Sequence, residues 1–206
     1  MNARLLWLSG PLVLLGLGFA VGRGDDARPP EPAETGPAVT TARDLILRVQ
    51  TKKTEYTTKE AIPLTVTITN RGPTPVTLVQ PGDGSESGWR TPTVGWSVLP
   101  ADDAKAAHPE QMPKQELFGR CGNRNPLAAE EMFVLRPSET RTIAAGWFGP
   151  PVREGKQRLV FYYHNDPSLK WKGIGGDDPA LLARVKDTFP CLLKSNEITL
   201  TIKQAK

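Results

Sequence analysis

The sequence predicts an all-β protein: an antiparallel β-sandwich with long loops and one short helix, preceded by a signal segment. Three observations carry this. Apolar and polar residues alternate with period two in many short runs. Twenty prolines and 19 glycines in 206 residues are the turn formers that many short strands require. The first twenty residues carry the charge and apolar pattern of export.

Residues 1–21 read as a signal peptide or anchor. Arg4 supplies the positive start, and Leu5, Leu6, Trp7, Leu8 and Leu12 to Leu15 the apolar stretch. Gly18 and Ala20 are small residues at the −3 and −1 positions before Val21. Gly10, Pro11 and Gly16 interrupt the stretch, which is short for a bilayer span, so cleavage is the expectation and membrane attachment follows only if the leader stays. No cysteine follows closely, which argues against a lipid anchor. Residues 22–42 mix Pro29, Pro30, Pro32 and Pro37 with Asp25, Asp26, Glu31 and Glu34. With almost nothing apolar to bury, they are expected to form an extended linker.

Residues 43–206 are expected to form the folded domain, large enough to bury a core of its own. Leu45, Leu47 and Val49 alternate with Ile46 and Arg48. Ile62, Leu64, Val66 and Ile68 alternate with Pro63, Thr65, Thr67 and Thr69 before the turn signal Asn70-Arg71-Gly72-Pro73. Val76 and Leu78 resume the pattern, followed by Val94, Trp96 and Val98, then Phe133 and Leu135, then a strand near Thr140 to Trp147. Arg158 to His164 is apolar on both faces and reads as a central, doubly covered strand. Ile198, Leu200 and Ile202 close a set of about eight strands. Two stretches break the rhythm, Ala101 to Pro126 and Asp166 to Lys194. In the second, Asp178 is an N-cap, Pro179 takes the first helical position, and Leu181, Leu182 and Val185 form an apolar face.

The run Glu60-Ala61-Ile62-Pro63-Leu64-Thr65-Val66-Thr67-Ile68-Thr69-Asn70, with Val76-Thr77-Leu78 after the turn, resembles the opening hairpin of bacterial immunoglobulin-like domains. It is also similar to the domain of the intracellular proteinase inhibitor family. Leu135 to Thr140 and Ser195 to Leu200 resemble later strands of the same group. The resemblance implies an immunoglobulin-like β-sandwich and opens proteinase inhibition as one reading. No inhibitory loop in this sequence matches the family's.

Cys121 and Cys191 are the only two cysteines, and each falls in an irregular stretch. In an exported chain such a pair is expected to form a disulfide, which would stabilise the fold by roughly 4 kcal/mol by closing about 70 residues. The alternative is a thiol nucleophile at Cys121, flanked by the cations Arg120 and Arg124, although neither His108 nor His164 sits in a Cys/His signature.

Other candidate residues have bland readings beside them. The loop from Pro81 to Trp89 offers Asp83 and Glu86 to a cation and Trp89 to a sugar or protein, but its spacing matches no calcium loop and a solvated turn explains it as well. Trp171 is a second loop tryptophan with the same two readings, whereas Trp96 and Trp147 read as core. His164, Asp166 and Asp177 are a thin candidate for a metal, and Gly173-Ile174-Gly175-Gly176-Asp177-Asp178 lacks the spacing of a phosphate loop. The net charge of +4 is scattered rather than clustered, which speaks against nucleic acid. The sequence therefore points to an exported, non-catalytic binding or structural module, periplasmic, cell-surface or secreted, without cofactor. Its expected partner is a protein or glycan of the envelope. A secreted proteinase inhibitor, or an enzyme using a thiol or a metal, are the other classes.

Overall fold

In the computed structural model, residues 38, 40–114, 127–145, 149–169 and 178–205 are described, all within one unit, Gly36–Lys206. The leader and most of the expected linker lie outside them. Among the described residues the protein is all-β, with one α-helix, and no helix is long and apolar enough to cross a membrane.

The strands are β1 (Leu45–Thr51), β2 (Glu55–Thr57), β3 (Leu64–Asn70), β4 (Val76–Val79) and β5 (Thr93–Pro100), then β6 (Met132–Leu135), β7 (Thr140–Ala145), β8 (Gly155–Asn165), β9 (Cys191–Lys194) and β10 (Ile198–Lys203). They form three hydrogen-bonded groups, ordered β1-β3-β7, β2-β10-β8-β5 with β9 also on β8, and β4-β6. All pairs are antiparallel except β2 with β10, which is parallel. The two opening strands thus join different groups. β1 pairs with β3 over its whole length, and β2 lies beside the last strand of the chain.

One core unites the three groups. Leu47, Val49, Val66 and Ile68 from the first, Phe161, Tyr163, Leu200 and Ile202 from the second, and Leu78 and Leu135 from the third all belong to it. The period-two runs produce this directly, because alternate side chains of a strand leave on opposite faces. Each fully buried aliphatic or aromatic side chain contributes about 1.5–3 kcal/mol. β8 departs from alternation as its sequence predicts: Leu159, Val160, Phe161, Tyr162 and Tyr163 are all buried. The Tyr163 hydroxyl donates to the Val79 carbonyl at 2.8 Å and accepts the Val79 amide at 3.3 Å, joining β8 to β4.

β5 occupies one edge of β8, so β9 and β10 share the other, β9 along its end and β10 along its start. The joint between them is Ser195-Asn196-Glu197. The Ser195 hydroxyl accepts the Phe161 amide at 2.9 Å, replacing a ladder bond at the break. The Asn196 side chain accepts from the Val49 amide at 2.9 Å and donates to the Val49 carbonyl at 3.2 Å, closing part of the outer edge of β1.

α1 spans Pro179–Lys186, and the Asp178 carboxylate accepts the Ala180 amide at 2.9 Å, as the cap signals predict. Its one fully buried side chain is Val185, which packs with Val79 and Leu127. Packing at the N-terminal side reaches Thr40, whose hydroxyl donates to the Thr74 carbonyl at 2.6 Å. Gly72 allows this approach, since a Cβ there would lie 2.3 Å from the Thr40 hydroxyl oxygen.

Candidate functional site

The loop between β4 and β5 contains Asp83, Glu86 and Trp89, and it is not the solvated turn that its composition suggests. Pro81, Gly82, Gly84, Ser85, Arg90, Thr91 and Pro92 are all buried. Gly84 (φ 94°) and Gly88 (φ 69°) hold left-handed backbone, so these two glycines serve the turn rather than a ligand. The Ser85 hydroxyl accepts the Gly82 amide at 3.0 Å, and its carbonyl accepts the Val94 amide at 3.0 Å. The Arg90 guanidinium, 3 % exposed, meets the Glu131 carboxylate at 2.7 Å. Burial is possible because charge and turn polar groups find partners inside. Asp83, Glu86 and Trp89 are half-buried along this loop.

The second loop flagged by the sequence, from Ala101, is a strap laid across the outer face of β5, β8 and β9 over residues 101–114. Tyr162 donates its hydroxyl to the Pro109 carbonyl at 2.5 Å. Lys194 donates to the His108 carbonyl at 3.0 Å and meets the Glu110 carboxylate at 2.7 Å. Arg158 donates to the carbonyls of Asp103 at 3.1 Å and Ala106 at 2.5 Å. His108 enters the sheet face: its Nδ1 lies 2.7 Å from Ser97 Oγ and its Nε2 3.3 Å from Glu197 Oε2. The strap is what covers the outer face of β8, whose need for a cover is visible in its sequence.

Ser97, His108 and Glu197 stand in a line, with Ser97 hydrogen-bonded to Nδ1 and Glu197 3.3 Å from Nε2 outside hydrogen-bond geometry. The set lacks a feature of acyl transfer, an amide aimed beside the serine oxygen. Ala101 donates its amide to Lys156, and antiparallel pairing alternates, so the odd-numbered amides of β5, including that of Ser97, turn into the ladder with β8. Ser97 and His108 are 5 % and 8 % exposed, with the strap above them. The arrangement holds the strap down.

Both loops contribute to one groove of about 1220 Å³ beside β5. Val94, Trp96, Val98 and Phe161 supply its apolar part. Trp96 and Phe161 stack edge-on with ring centres 4.9 Å apart. Glu86, Asp102 and Glu154 face Lys114, Arg153 and Lys156 around it. The two signs balance, which suits a mixed polar ligand better than a polyanion. Of the residues singled out in the sequence, Glu86 lines the groove while Asp83 and Trp89 lie elsewhere on the same loop. Trp171 and Trp147 lie outside the described residues.

Cys191 is not in an irregular stretch: it opens β9 opposite Asn165 of β8, because β9 adds to the end of β8 where the sequence shows only a four-residue run. Its side chain stands as a buried thiol, 6 % exposed, and burial pushes it up to about 12. A thiol held that high carries almost no thiolate at neutral pH and is a poor nucleophile. Cys121 lies outside the described residues. Asp166 is engaged by its own turn, accepting the Ser168 amide at 2.9 Å and hydroxyl at 2.6 Å, which lowers its carboxyl below the usual range. Asp177 lies outside the described residues, and among those described no group of three or more His, Cys, Asp or Glu stands close enough to hold a metal ion.

Compared with known proteins, the chain matches no family model and no curated protein.

Proposed function

We propose that this chain is an exported, non-catalytic binding module of the cell envelope, built on an immunoglobulin-like β-sandwich, with its ligand in the groove beside β5. The observation that carries the reading is the groove itself, an apolar strip rimmed by charges of both signs and walled by two ordered loops. The strand order supports the fold. β1, β3 and β7 correspond in chain order to the first, second and fifth strands of an immunoglobulin sheet, and β5, β8 and β10 to the third, sixth and seventh of the facing one. Export is supported by the charged and apolar pattern of Met1 to Ala20. The partner is a protein or glycan of the envelope.

The test places a photo-crosslinking residue at Lys156, in the groove, or at Val134, which is 48 % exposed on β6 and outside it. In intact envelopes of cells making the full chain, one dominant adduct from position 156 and none from 134 is the expected result. Equal labelling from both, or none from position 156, overturns the reading.

In the exported chain Cys191 pairs with Cys121 under this proposal. A non-reducing peptide map of the purified protein is expected to show the two cysteine peptides linked and separating on reduction. Two alkylatable thiols in the unfolded, unreduced protein would overturn the pairing.

A further inference from the structure

We propose that the strap of residues 101–114 is a proton-operated latch, docked while His108 is neutral and released on mild acidification. Its role in ligand access rests on the groove reading above, because Ala101 and Asp102 at one end of the strap and Pro113 and Lys114 at the other line that groove.

The geometry suits a neutral ring. With its proton on Nε2, which lies 3.3 Å from Glu197 Oε2 but outside hydrogen-bond geometry, His108 leaves Nδ1 bare to accept the hydroxyl proton of Ser97. Nδ1 and the buried hydroxyl are then satisfied. A second proton on Nδ1 reverses the Ser97 bond. The ring must donate there, and the Ser97 hydrogen, 5 % exposed, has to find another acceptor.

Charge works in the same direction. The charged groups acting on the ring are Glu197 from the β9–β10 joint, Arg158 from β8 and Lys194 from β9, and Lys194 is in turn paired with Glu110 on the strap. An imidazolium would make a third cation beside Arg158 and Lys194, against two carboxylates. Glu197 is already shared with Arg158 at 3.5 Å, and Glu110 is largely exposed. Burial lowers the ring's proton affinity most; Glu197 opposes this, while Arg158 and Lys194 reinforce it. The ring of a detached strap therefore binds a proton more readily than the docked one. Docking strength is complete above the ordinary histidine value of about 6.5 and falls as pH drops below it toward the docked-state value. Local release of this kind needs no global unfolding.

The protein has only two histidines, which makes the test clean. Amide hydrogen exchange on the full chain, corrected for intrinsic rate, is compared at pH 7.5 and 5.5 for strap peptides and for β8. Wild type and a His164→Gln variant are expected to lose strap protection at pH 5.5 by up to about tenfold, the limit set by one proton taken up over one pH unit. β8 protection should hold. His108→Gln is expected to abolish the difference between the two pH values. Should that variant fold poorly, the His108 ring titration followed by NMR in wild type reads the same linkage. A strap whose protection is independent of pH in wild type, or falls equally in His108→Gln, or a ring that titrates at or above the ordinary value, overturns the latch. No ligand enters this experiment, so a groove without a partner would leave its result unchanged.

Discussion

Truncation of Phe161 to alanine is expected to cost about 3–5 kcal/mol, the range for deleting a fully buried aromatic ring and leaving a cavity. A domain of this kind has about 5–15 kcal/mol in total, so the variant would be near the limit of folding at 37 °C. Phe161 is 0 % exposed at the centre of β8, the strand that pairs with β5 on one edge and with β9 and β10 on the other. Its ring meets Trp96 edge-on, a contact that adds about 0.5–1.5 kcal/mol beyond area burial. Urea unfolding followed by circular dichroism reads the effect as a fall in midpoint with little change in slope. Val134→Ala, half exposed on β6, is the matching control and is expected to change stability by less than about 0.5 kcal/mol. A loss below about 1 kcal/mol at Phe161 would mean that β8 is not the centre of the core.

Replacing Asn165 by leucine keeps most of the volume and is expected to cost about 2–4 kcal/mol, because buried polar partners are left without a bond. Asn165 ends β8 at 0 % exposure. Its Nδ2 donates to Thr188 Oγ1 at 3.0 Å and to the Phe189 carbonyl at 2.8 Å, and its Oδ1 accepts the Thr91 hydroxyl at 3.2 Å. Thr91 in turn accepts the Asp166 amide at 3.0 Å, and Thr188 donates to the Val185 carbonyl at 2.7 Å. One amide thus joins the end of β8, the loop before β5 and the residues after α1. Urea unfolding gives the magnitude. Hydrogen exchange locates it: residues after α1 should lose protection by a larger factor than β10. Equal loss in both would show that the network adds nothing local.

Asn165 also marks where reading the sequence stops. From sequence the central strand ends at His164, with Asn165 in the polar run that follows, whereas β8 extends through Asn165. That it is buried, and what it binds, depends on Thr91 and Phe189, 74 and 24 residues away. The loop from Pro81 to Pro92 has the same character. Its glycines and carboxylates suggest a surface turn, but Arg90 is buried by Glu131, a partner 41 positions further on (131 − 90) that no local pattern points to. β2 and β9 escape detection for a different reason. Three and four residues are too few to show a period, and both exist because a neighbouring strand end, on β10 and β8 respectively, offers free backbone groups.

The candidate site divides along the same line. Glu86 was legible as a loop carboxylate and lines the groove, and the long excursion after Pro100 was legible as a break in rhythm. His108 was not legible as part of a site, because its partners Ser97 and Glu197 come from β5 and the joint before β10. The one available signal was indirect: Val160 and Tyr162 on the outer face of β8 demand a cover, and the stretch carrying His108 is one of two irregular stretches long enough to supply it.

By itself the sequence determined the strand periods of β1, β3 and β10, the doubly apolar run of β8, the cap of α1, and the all-β class, since each depends on residues within a few positions of one another. Only the tertiary structure decided the parallel seat of β2 on β10, the burial of Arg90 and Asn165, and the strap pinned through His108. These rest on charge pairs and hydrogen bonds between segments far apart in the chain, and their partners become neighbours only after the core has closed.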